Sequence, residues 1–287
     1  MSSTMAEVDR SGQRRLVDVA WLREHLDDPG VLAVEVGADS AAYFQGHVPG
    51  AVPLAWLDDL HDPDRRGVVS QQRLECLLGR RGVTRDTHLV LYGEQDNLFA
   101  AYAYWLLRYY QHAQVSLLDG GRRAWIAAGE RLVQDAVEPA AAIYRSAGPD
   151  PDLRVTRDVL LERYVEEPAG SAVVDCRRPQ EYAGRPDSAP DLPVLRHRLG
   201  GHVPGARNVP HSELLDATTG RFQPRQVLLE RFAGLPATDD IVVYCDVGGR
   251  SSLSWFVLHE LLGYPHVRVY DGGWAEYGSL TEAPIAR

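Results

Sequence analysis

A cysteine, two glycines and an arginine occur together in one segment of the sequence, in a spacing suited to nucleophilic chemistry. The segment reads IVVYCDVGGRSSLSWFVLHELLG. A run of β-branched residues predicts a buried strand that ends at Tyr244, and a helix is expected to begin at Ser251 or at the serine after it. The six residues from Cys245 to Arg250 form the loop between strand and helix. A loop at this position lies at the N-terminus of the helix, where backbone N–H groups can bind an anionic ligand.

Several features of this loop favour a bound anion and a reactive thiol. Two adjacent glycines let the backbone curl so that successive N–H groups point inward. The N-terminus of the helix, with Ser251 as its expected cap, adds further unpaired N–H groups. This setting favours the thiolate form of Cys245 and predicts a nucleophile, whereas the alternative is a small buried residue at a strand end. The expected substrate-binding residues are the rest of the loop: Asp246, Val247, Gly248, Gly249 and Arg250.

The other two cysteines are interpreted as structural. Cys76 lies in the helical stretch RLECLLG and is expected in the core. Cys176 follows Asp175 at the end of a predicted strand, where it is either close to the pocket or, as we expect, packed in the core. The three cysteines contain no C-x-x-C pair and no Cys/His cluster at zinc spacing. The sequence therefore predicts no disulfide framework, no metal site and no cofactor.

The chain contains an internal repeat. Three segments of the first half recur in the same order in the second half, at spacings of 155, 152 and 152 residues. The matched pairs are GHVPGA at 46–51 and 201–206, LVLYG at 89–93 and IVVYC at 241–245, and LLDGG at 117–121 and VYDGG at 269–273. Such a pattern indicates two duplicated domains.

Strands alternate with helices in each half. In the first half we predict strands at 31–36, 88–92 and 115–118 and helices at 70–80 and 97–112. In the second half we predict strands at 172–176, 240–244 and 266–270 and helices at 224–233 and 251–262. This order is typical of an α/β fold with a mainly parallel sheet and helices on both faces. The predicted divisions are a flexible N-terminus at 1–14, a first domain at 15–130, a linker at 131–154 and a second domain at 155–287.

Three further side chains need an interpretation. Arg177 follows Asp175 at a strand end, where α/β sheets bind ligands. It either binds the substrate anion or forms a structural ion pair, and the sequence leaves both open. His47 and His202 hold the same place in the two GHVPGA copies. A residue retained in both halves is expected to be structural, because only one half has the loop cysteine.

Composition excludes several classes of partner. The formal net charge is −10 with no Lys/Arg-rich run, which argues against nucleic acid. The first residues are polar and charged and carry no apolar core, so no secretory signal is predicted. The longest uncharged apolar run, Leu98 to Leu107, is too short to span a bilayer. We expect a soluble, cytoplasmic protein that does not contact a membrane.

The cysteine loop, the paired GHVPGA and DGG motifs and the duplicated α/β halves resemble the two-domain rhodaneses, the thiosulfate and 3-mercaptopyruvate sulfurtransferases. The resemblance extends from about residue 15 to 280. It implies two tandem rhodanese-like domains, with Cys245 as the catalytic residue of the C-terminal one. It also implies an inactive N-terminal domain, since Gly93 stands at the position that matches Cys245.

The resemblance implies sulfur transfer from a small anionic donor, thiosulfate first, through a Cys245 persulfide to a thiophilic acceptor such as cyanide or a thiol. The loop departs from the family in two places. Asp246 stands where thiosulfate enzymes carry a basic residue, and the loop also lacks the Gly-Ser-Gly of mercaptopyruvate enzymes. Glu181 stands where relatives often carry a substrate-binding arginine, with Arg177 or Arg178 as candidate replacements. The donor therefore stays open between thiosulfate and 3-mercaptopyruvate.

Two other classes of function share parts of this pattern. Cysteine-dependent phosphatases also place a cysteine loop between strand and helix, but their loop is C-x5-R. Here Cys245 and Arg250 give C-x4-R, and the shorter loop favours sulfur over phosphate. A non-enzymatic rhodanese-like binding or sulfur-carrier module is the other class. Cys245 argues against it for the second half but not for the first.

Overall fold

The computed structural model of the chain describes residues 14–62, 67–135, 137–185, 199–235 and 240–287. It forms two compact units. One comprises Met1–Asp150 with Asp216–Phe222, and the other comprises Pro151–Leu215 with Gln223–Arg287. Residues 1–13 of the predicted flexible N-terminus lie outside the described residues. So do residues 186–198 of the Pro-, Arg- and His-containing insertion at 185–200. The linker and the domain limits predicted above stay predictions.

The first unit is built on a five-stranded parallel sheet with the order β1-β5-β4-β2-β3. Its strands are β1 Leu16–Val17, β2 Val31–Gly37, β3 Val52–Ala55, β4 His88–Tyr92 and β5 Val115–Leu118. Its helices are α1 Val19–His25, α2 Ala41–Gln45, α3 Trp56–Asp59, α4 Gln71–Arg80, α5 Leu98–Tyr109 and α6 Gly121–Ala127. A 3₁₀ turn, Gln95–Asn97, precedes α5.

The second unit has a four-stranded parallel sheet with the order β7-β6-β8-β9. Its strands are β6 Ser171–Asp175, β7 Arg207–Asn208, β8 Asp240–Tyr244 and β9 Val267–Tyr270. Its α-helices are α7 Arg157–Val159, α8 Pro179–Tyr182, α9 Arg225–Arg231, α10 Gly249–Trp255 and α11 Gly273–Tyr277. The 3₁₀ turns Pro151–Leu153 and His211–Leu214 and the π-helical segments Leu160–Glu166 and Phe256–Leu261 complete the unit, and the second π segment continues α10.

The predicted α/β fold is confirmed, and each predicted strand and helix is present with ends that shift by three residues or fewer. The prediction worked because parallel strands covered on both faces are nearly continuous apolar runs. Residues 89–92 of β4 and 241–244 of β8 are all buried. Within the described ranges, no helix has the length and apolar character needed to cross a membrane.

The placement of Cys76 in the core is wrong. Helix α4 forms as predicted, and Leu74 and Leu78 are buried on one face of it. Cys76 lies two residues from each, about 200° away around the helix, and its side chain is exposed. The apolar pattern of the stretch was read correctly, but the cysteine belongs to the opposite face.

The repeated motifs have the same structural role in both units. Tyr92 donates a hydrogen bond to Glu35 on the neighbouring strand (2.7 Å) and accepts one from the backbone N–H of Val48 in GHVPGA (2.9 Å). In the second unit Tyr244 donates to Asp175 and accepts from the N–H of Val203 (3.1 Å). Each network joins a buried carboxylate, a tyrosine and the motif loop, which satisfies polar groups that burial would otherwise leave unpaired.

The two motif histidines are also matched. The His47 ring stacks on Tyr43 at 3.8 Å, and its Nδ1 lies 3.0 Å from the carbonyl oxygen of the same residue. The His202 ring stacks on Tyr182 at 3.6 Å, with Nδ1 at 2.9 Å from that carbonyl oxygen. The same contacts occur with and without a loop cysteine, as expected for structural residues.

Candidate active site

The site forms at the carboxyl edge of the second sheet. Strands β6 and β8 are parallel neighbours, with Asp175 in register with Tyr244. Cys176 and Cys245, which directly follow these two residues, therefore lie side by side. The N–H of Cys176 donates to the carbonyl oxygen of Tyr244 at 2.8 Å, which extends the ladder by one residue.

Cys245 begins the loop between β8 and α10 and is buried. Its Sγ accepts hydrogen bonds from the N–H of Gly248 (3.2 Å) and from the hydroxyl of Ser251 (3.5 Å). Gly248 has φ 95°, which an L-residue with a side chain adopts only with strain. The loop therefore needs glycine at this position to turn an N–H back towards the sulfur.

The DGG motif supports the loop from the next strand. After β9, the N–H of Trp274 donates to the carbonyl oxygen of Cys245 (2.7 Å), and that of Ala275 donates to Asp246 (3.1 Å). Gly273 has φ +56°, and a Cβ there would lie 2.3 Å from the carbonyl oxygen of Asp246. The glycine is thus required by close approach of the loop backbone.

The assignment of Ser251 as the helix cap is wrong. Helix α10 begins at Gly249 with Gly248 in the cap position. Because Gly248 adopts a positive φ, the chain turns into the helix three residues earlier than a cap at Ser251 would require. Ser251 lies in the first turn, where its single hydroxyl proton can be donated either to the Gly248 carbonyl oxygen (2.9 Å) or to Cys245 Sγ (3.5 Å).

Arg250 is paired with Glu181. Its Nη1 donates to Oε2 at 2.6 Å and its Nη2 to Oε1 at 2.9 Å. Burial acts to raise the pKa of Glu181, but the hydrogen bonds and charge of Arg250 outweigh it and hold that pKa below its usual value. Burial acts in the opposite sense on Arg250, whose pKa is nevertheless raised by Glu181 and by the charges of Cys245 and Asp246. The pair stays ionised.

The remaining loop residues differ in exposure. Asp246 is buried at 2% exposure, and its negative charge acts on the Arg250 guanidinium. Val247 is half-buried, and Gly249 is buried as the first residue of α10. The structure thus brings together the predicted nucleophile and the predicted loop residues.

Arg177 lies beneath this edge rather than at its surface. Its guanidinium donates to both oxygens of Asp175, the shortest contact being 2.6 Å, and to the carbonyl oxygen of Gly201 (2.8 Å). It also lies 4.4 Å from the centre of the Trp274 ring. These contacts are those of a structural ion pair, which was the second interpretation of Arg177. Substrate binding by Arg177 stays a prediction, and these contacts do not favour it.

Cys176 is buried beside Cys245. Burial raises the pKa of its thiol well above the usual range, and the negative charges of Cys245 and Asp175 act in the same direction. A thiol held in its protonated form is a poor nucleophile. Cys176 therefore does not duplicate the chemistry expected of Cys245.

Sequence reasoning did not find two neighbours of the site. Glu181 was aligned with a family position, but nothing indicated that it pairs with a residue 69 positions away. His211 has its N–H bonded to the carbonyl oxygen of Cys176 (3.2 Å). Burial and the charge of Arg250 lower the pKa of His211 to about 4, so its ring is neutral at pH 7. No local pattern marks this histidine.

The corresponding loop of the first unit is closed by a side chain. The N–H of Gly93 donates to Asn97 Oδ1 (2.9 Å), and Asn97 Nδ2 donates to the carbonyl oxygen of Leu118 (2.6 Å). A Cβ at Gly93 would lie 2.3 Å from the carbonyl oxygen of Val36. The first unit therefore lacks both the thiol and the space for one.

The comparisons with known proteins agree with this geometry. The rhodanese-like domain family matches residues 18–128 and 157–280. A sulfur carrier protein, TtuD of Thermus thermophilus, is 41% identical over 95% of this chain and 96% of its own length. A provisionally named thiosulfate sulfurtransferase of Mycobacterium leprae is 40% identical over 94% of this chain and 96% of its own. The chain belongs to the rhodanese-like sulfurtransferase family, as the resemblance implied.

Solved structures share the fold at lower identity. EanB in complex with hercynine superposes with a TM-score of 0.82 at 23% identity, covering 94% of this chain and 68% of that one. A persulfide form of EanB with ergothioneine gives 0.83 at 24% identity, covering 94% and 70%. These matches support tandem rhodanese-like domains.

Proposed function

We propose that the second unit transfers a sulfane sulfur from a small donor, thiosulfate first, to cyanide or a thiol through a persulfide on Cys245. The observation that carries the proposal is the setting of Cys245 Sγ. It accepts from the Gly248 N–H and the Ser251 hydroxyl, in a loop between a parallel strand and a helix N-terminus. These donors suit a negatively charged sulfur.

The reaction has two displacements. The Cys245 thiolate attacks the outer sulfur of thiosulfate, the S–S bond breaks, and sulfite leaves with the bonding electrons. The acceptor then attacks the terminal sulfur of the persulfide and leaves as thiocyanate or as a new persulfide, which regenerates the thiolate. Neither step needs a metal or an external oxidant.

A direct test follows the sulfur. After incubation with thiosulfate and removal of the donor, intact mass should show the addition of one sulfur atom, and cyanide should remove it as thiocyanate. Cys245→Ser, folded as judged by circular dichroism, should show neither. A parent protein that gains no sulfur from thiosulfate or 3-mercaptopyruvate, or that instead hydrolyses an aryl phosphate, would refute the proposal.

Two observations favour alternative functions, one with a different sulfur donor and one as a sulfur carrier. The carboxylates of Asp246 and Glu181 both act on the loop arginine, which favours a donor of lower charge such as 3-mercaptopyruvate. The similarity to a sulfur carrier protein of Thermus thermophilus favours a role as a sulfur carrier. Thiocyanate formation with each donor, and sulfur transfer to protein thiols, separate these from the thiosulfate reaction.

A further inference from the structure

Glu181 joins the two segments that follow the central strands of the second sheet. It lies in α8, after β6, and Arg250 lies in α10, after β8. Its Oε2 also accepts from the N–H of Arg178 (3.1 Å), which holds the carboxylate in place at the start of α8. The Arg250 and Glu181 side chains are only 5% and 15% exposed. The pair is therefore a fixed part of the site and not a solvated surface contact.

This pairing uses the part of Arg250 that would bind a donor. A guanidinium recognises an anion with several oxygens through its two terminal amino groups, which form a fork. Both terminal amino groups of Arg250 donate to Glu181. Its Nε–H is buried and has no acceptor among the described residues. An incoming anion can therefore bind Arg250 only along the edge of the guanidinium that carries the Nε–H.

We propose that Glu181 is a positioning and specificity-determining residue, which holds Arg250 beside Cys245 and, by occupying its fork, disfavours dianionic donors relative to monoanionic ones. This rests on the proposed function. Asp246 acts in the same sense, because its charge acts on the same guanidinium. The neighbouring His211 is neutral and adds no charge. Thiosulfate then remains a usable donor, but the site weakens its binding more than that of a monoanionic donor.

The variant that tests this is Glu181→Gln, which keeps the side-chain size and one acceptor oxygen but removes the charge. The thiosulfate KM should fall by about fivefold, since a screened unit charge near the donor is relieved. The kcat should fall by about tenfold, because the guanidinium is no longer fixed. The KM for 3-mercaptopyruvate, a monoanion, should change by less than about twofold. A slower acceptor step would lower kcat and both KM values together, so the diagnostic result is a change in the ratio of the two KM values.

Two control variants sharpen the comparison. Glu213→Gln removes a carboxylate from an exposed ion pair with Arg231 in the same unit and should leave both KM values unchanged. Glu181→Asp retains the charge and should keep the preference for the monoanion. A folded Glu181→Gln protein with an unchanged ratio of the two KM values, or with a raised thiosulfate KM, would overturn the role of Glu181.

The parent enzyme provides a measurement that does not depend on folding of a variant. If Arg250 is occupied as proposed, added salt screens the carboxylates and the thiosulfate KM stays level or falls. A steep rise of that KM with salt would overturn the proposal. Failure of the proposed function is a distinct outcome, because the parent would then gain no sulfur on Cys245 from either donor.

Discussion

The three thiols of the chain lie in three different environments, and each environment sets the chemistry of its sulfur. Cys245 is buried against an N–H and a hydroxyl that donate to it. Cys176 is buried with a raised pKa, and Cys76 is exposed on helix α4. Exposure alone therefore does not identify the functional thiol. The Gly248 N–H that donates to Cys245 Sγ is the contact that favours Cys245 as the candidate nucleophile.

We predict that Cys245→Ser abolishes thiocyanate formation and leaves the fold intact, while Cys176→Ser and Cys76→Ser retain most of the activity. The reason is that Cys245 Sγ accepts from the backbone N–H of Gly248 in the loop, whereas burial keeps the Cys176 thiol protonated and Cys76 lies exposed on α4. Serine is close in size to cysteine. Steady-state assays with circular dichroism check this. Turnover in Cys245→Ser, or its loss in a folded Cys76→Ser protein, would contradict the mechanism.

At Arg250, we predict that Arg250→Ala moves the pH profile of Cys245 alkylation by iodoacetamide to higher pH, since a cation near the sulfur is removed. Because Cys76 is exposed and reacts too, the measurement belongs in a Cys76→Ser background. Arg231→Ala, which breaks an exposed pair in the same unit, is the control. Superimposable profiles for Arg250→Ala and its parent would mean that the guanidinium does not stabilise the thiolate.

We also predict that Arg250→Ala lowers the free energy of unfolding. Removal of Arg250 leaves the Glu181 carboxylate largely buried without its main partner. Loss of one member of such a pair costs about 3 kcal/mol, and the partial exposure of Glu181 lowers this figure somewhat. Urea unfolding of Arg250→Ala compared with Arg231→Ala measures the difference.

At the level of the elements, the two loops that follow β4 and β8 are held by the same backbone hydrogen bond but have different groups in their interior. In each, a backbone N–H after the DGG turn donates to the first loop residue: Arg122 to Gly93 at 3.0 Å and Trp274 to Cys245 at 2.7 Å. The loop interior then differs. The Asn97 side chain fills it in the first unit, whereas Gly248 turns an N–H inward in the second. A shared scaffold thus carries one loop filled by the Asn97 side chain and one loop that holds the candidate nucleophile Cys245.

From this we predict that Gly93→Cys does not create a second sulfur site. Its Cβ would collide with the carbonyl oxygen of Val36, so the unit should lose about 2 kcal/mol of stability or more. In a Cys245→Ser background, mass spectrometry after thiosulfate should detect no added sulfur. Gly30→Cys, whose Cβ meets nothing within 4 Å, is the matched control for stability. A stable Gly93→Cys protein that takes up sulfur would show that the loop adapts.

For the molecule as a whole, a buried histidine in the first unit and a half-buried one in the second are expected to make stability depend on pH. His112 in the first unit lies 3.1 Å from the carbonyl oxygen of Thr87 through Nε2 and 3.1 Å from the Tyr144 hydroxyl through Nδ1. A carbonyl only accepts, so Nε2 carries the proton and Nδ1 accepts from the tyrosine. Burial lowers the pKa of His112 to about 4, as it does for His211 in the second unit. Both units therefore hold a neutral histidine.

We predict that stability is level above about pH 6.5 and falls as the pH decreases from there to about 4. The sign follows because the unfolded chain binds a proton near pH 6.5, whereas the folded histidine does so only near pH 4. Each histidine contributes a loss of up to about 3 kcal/mol across this range. Urea midpoints at pH 7 and 5 measure it, with His112→Asn expected to lose less than the parent. An equal loss in both proteins would contradict the role of His112.

The sequence alone determined the duplicated α/β fold and the position of Cys245, because both depend on local patterns. Apolar runs of strand length, the repeated motifs and a Gly-Gly loop before a helix are all readable along the chain. The fold prediction was confirmed, and the predicted nucleophile and its loop residues come together at one sheet edge. Whether Cys245 carries sulfur stays a prediction for the mass measurement above.

Only the tertiary structure decided which partner each charged side chain has. Arg250 was expected to face a donor and is held by Glu181, and Arg177 is held by Asp175. Glu181 lies 69 residues before Arg250 and meets it only because β6 and β8 are neighbours in the sheet. Ion pairs of this kind depend on packing and solvent exclusion across distant segments. No local pattern in the sequence records them.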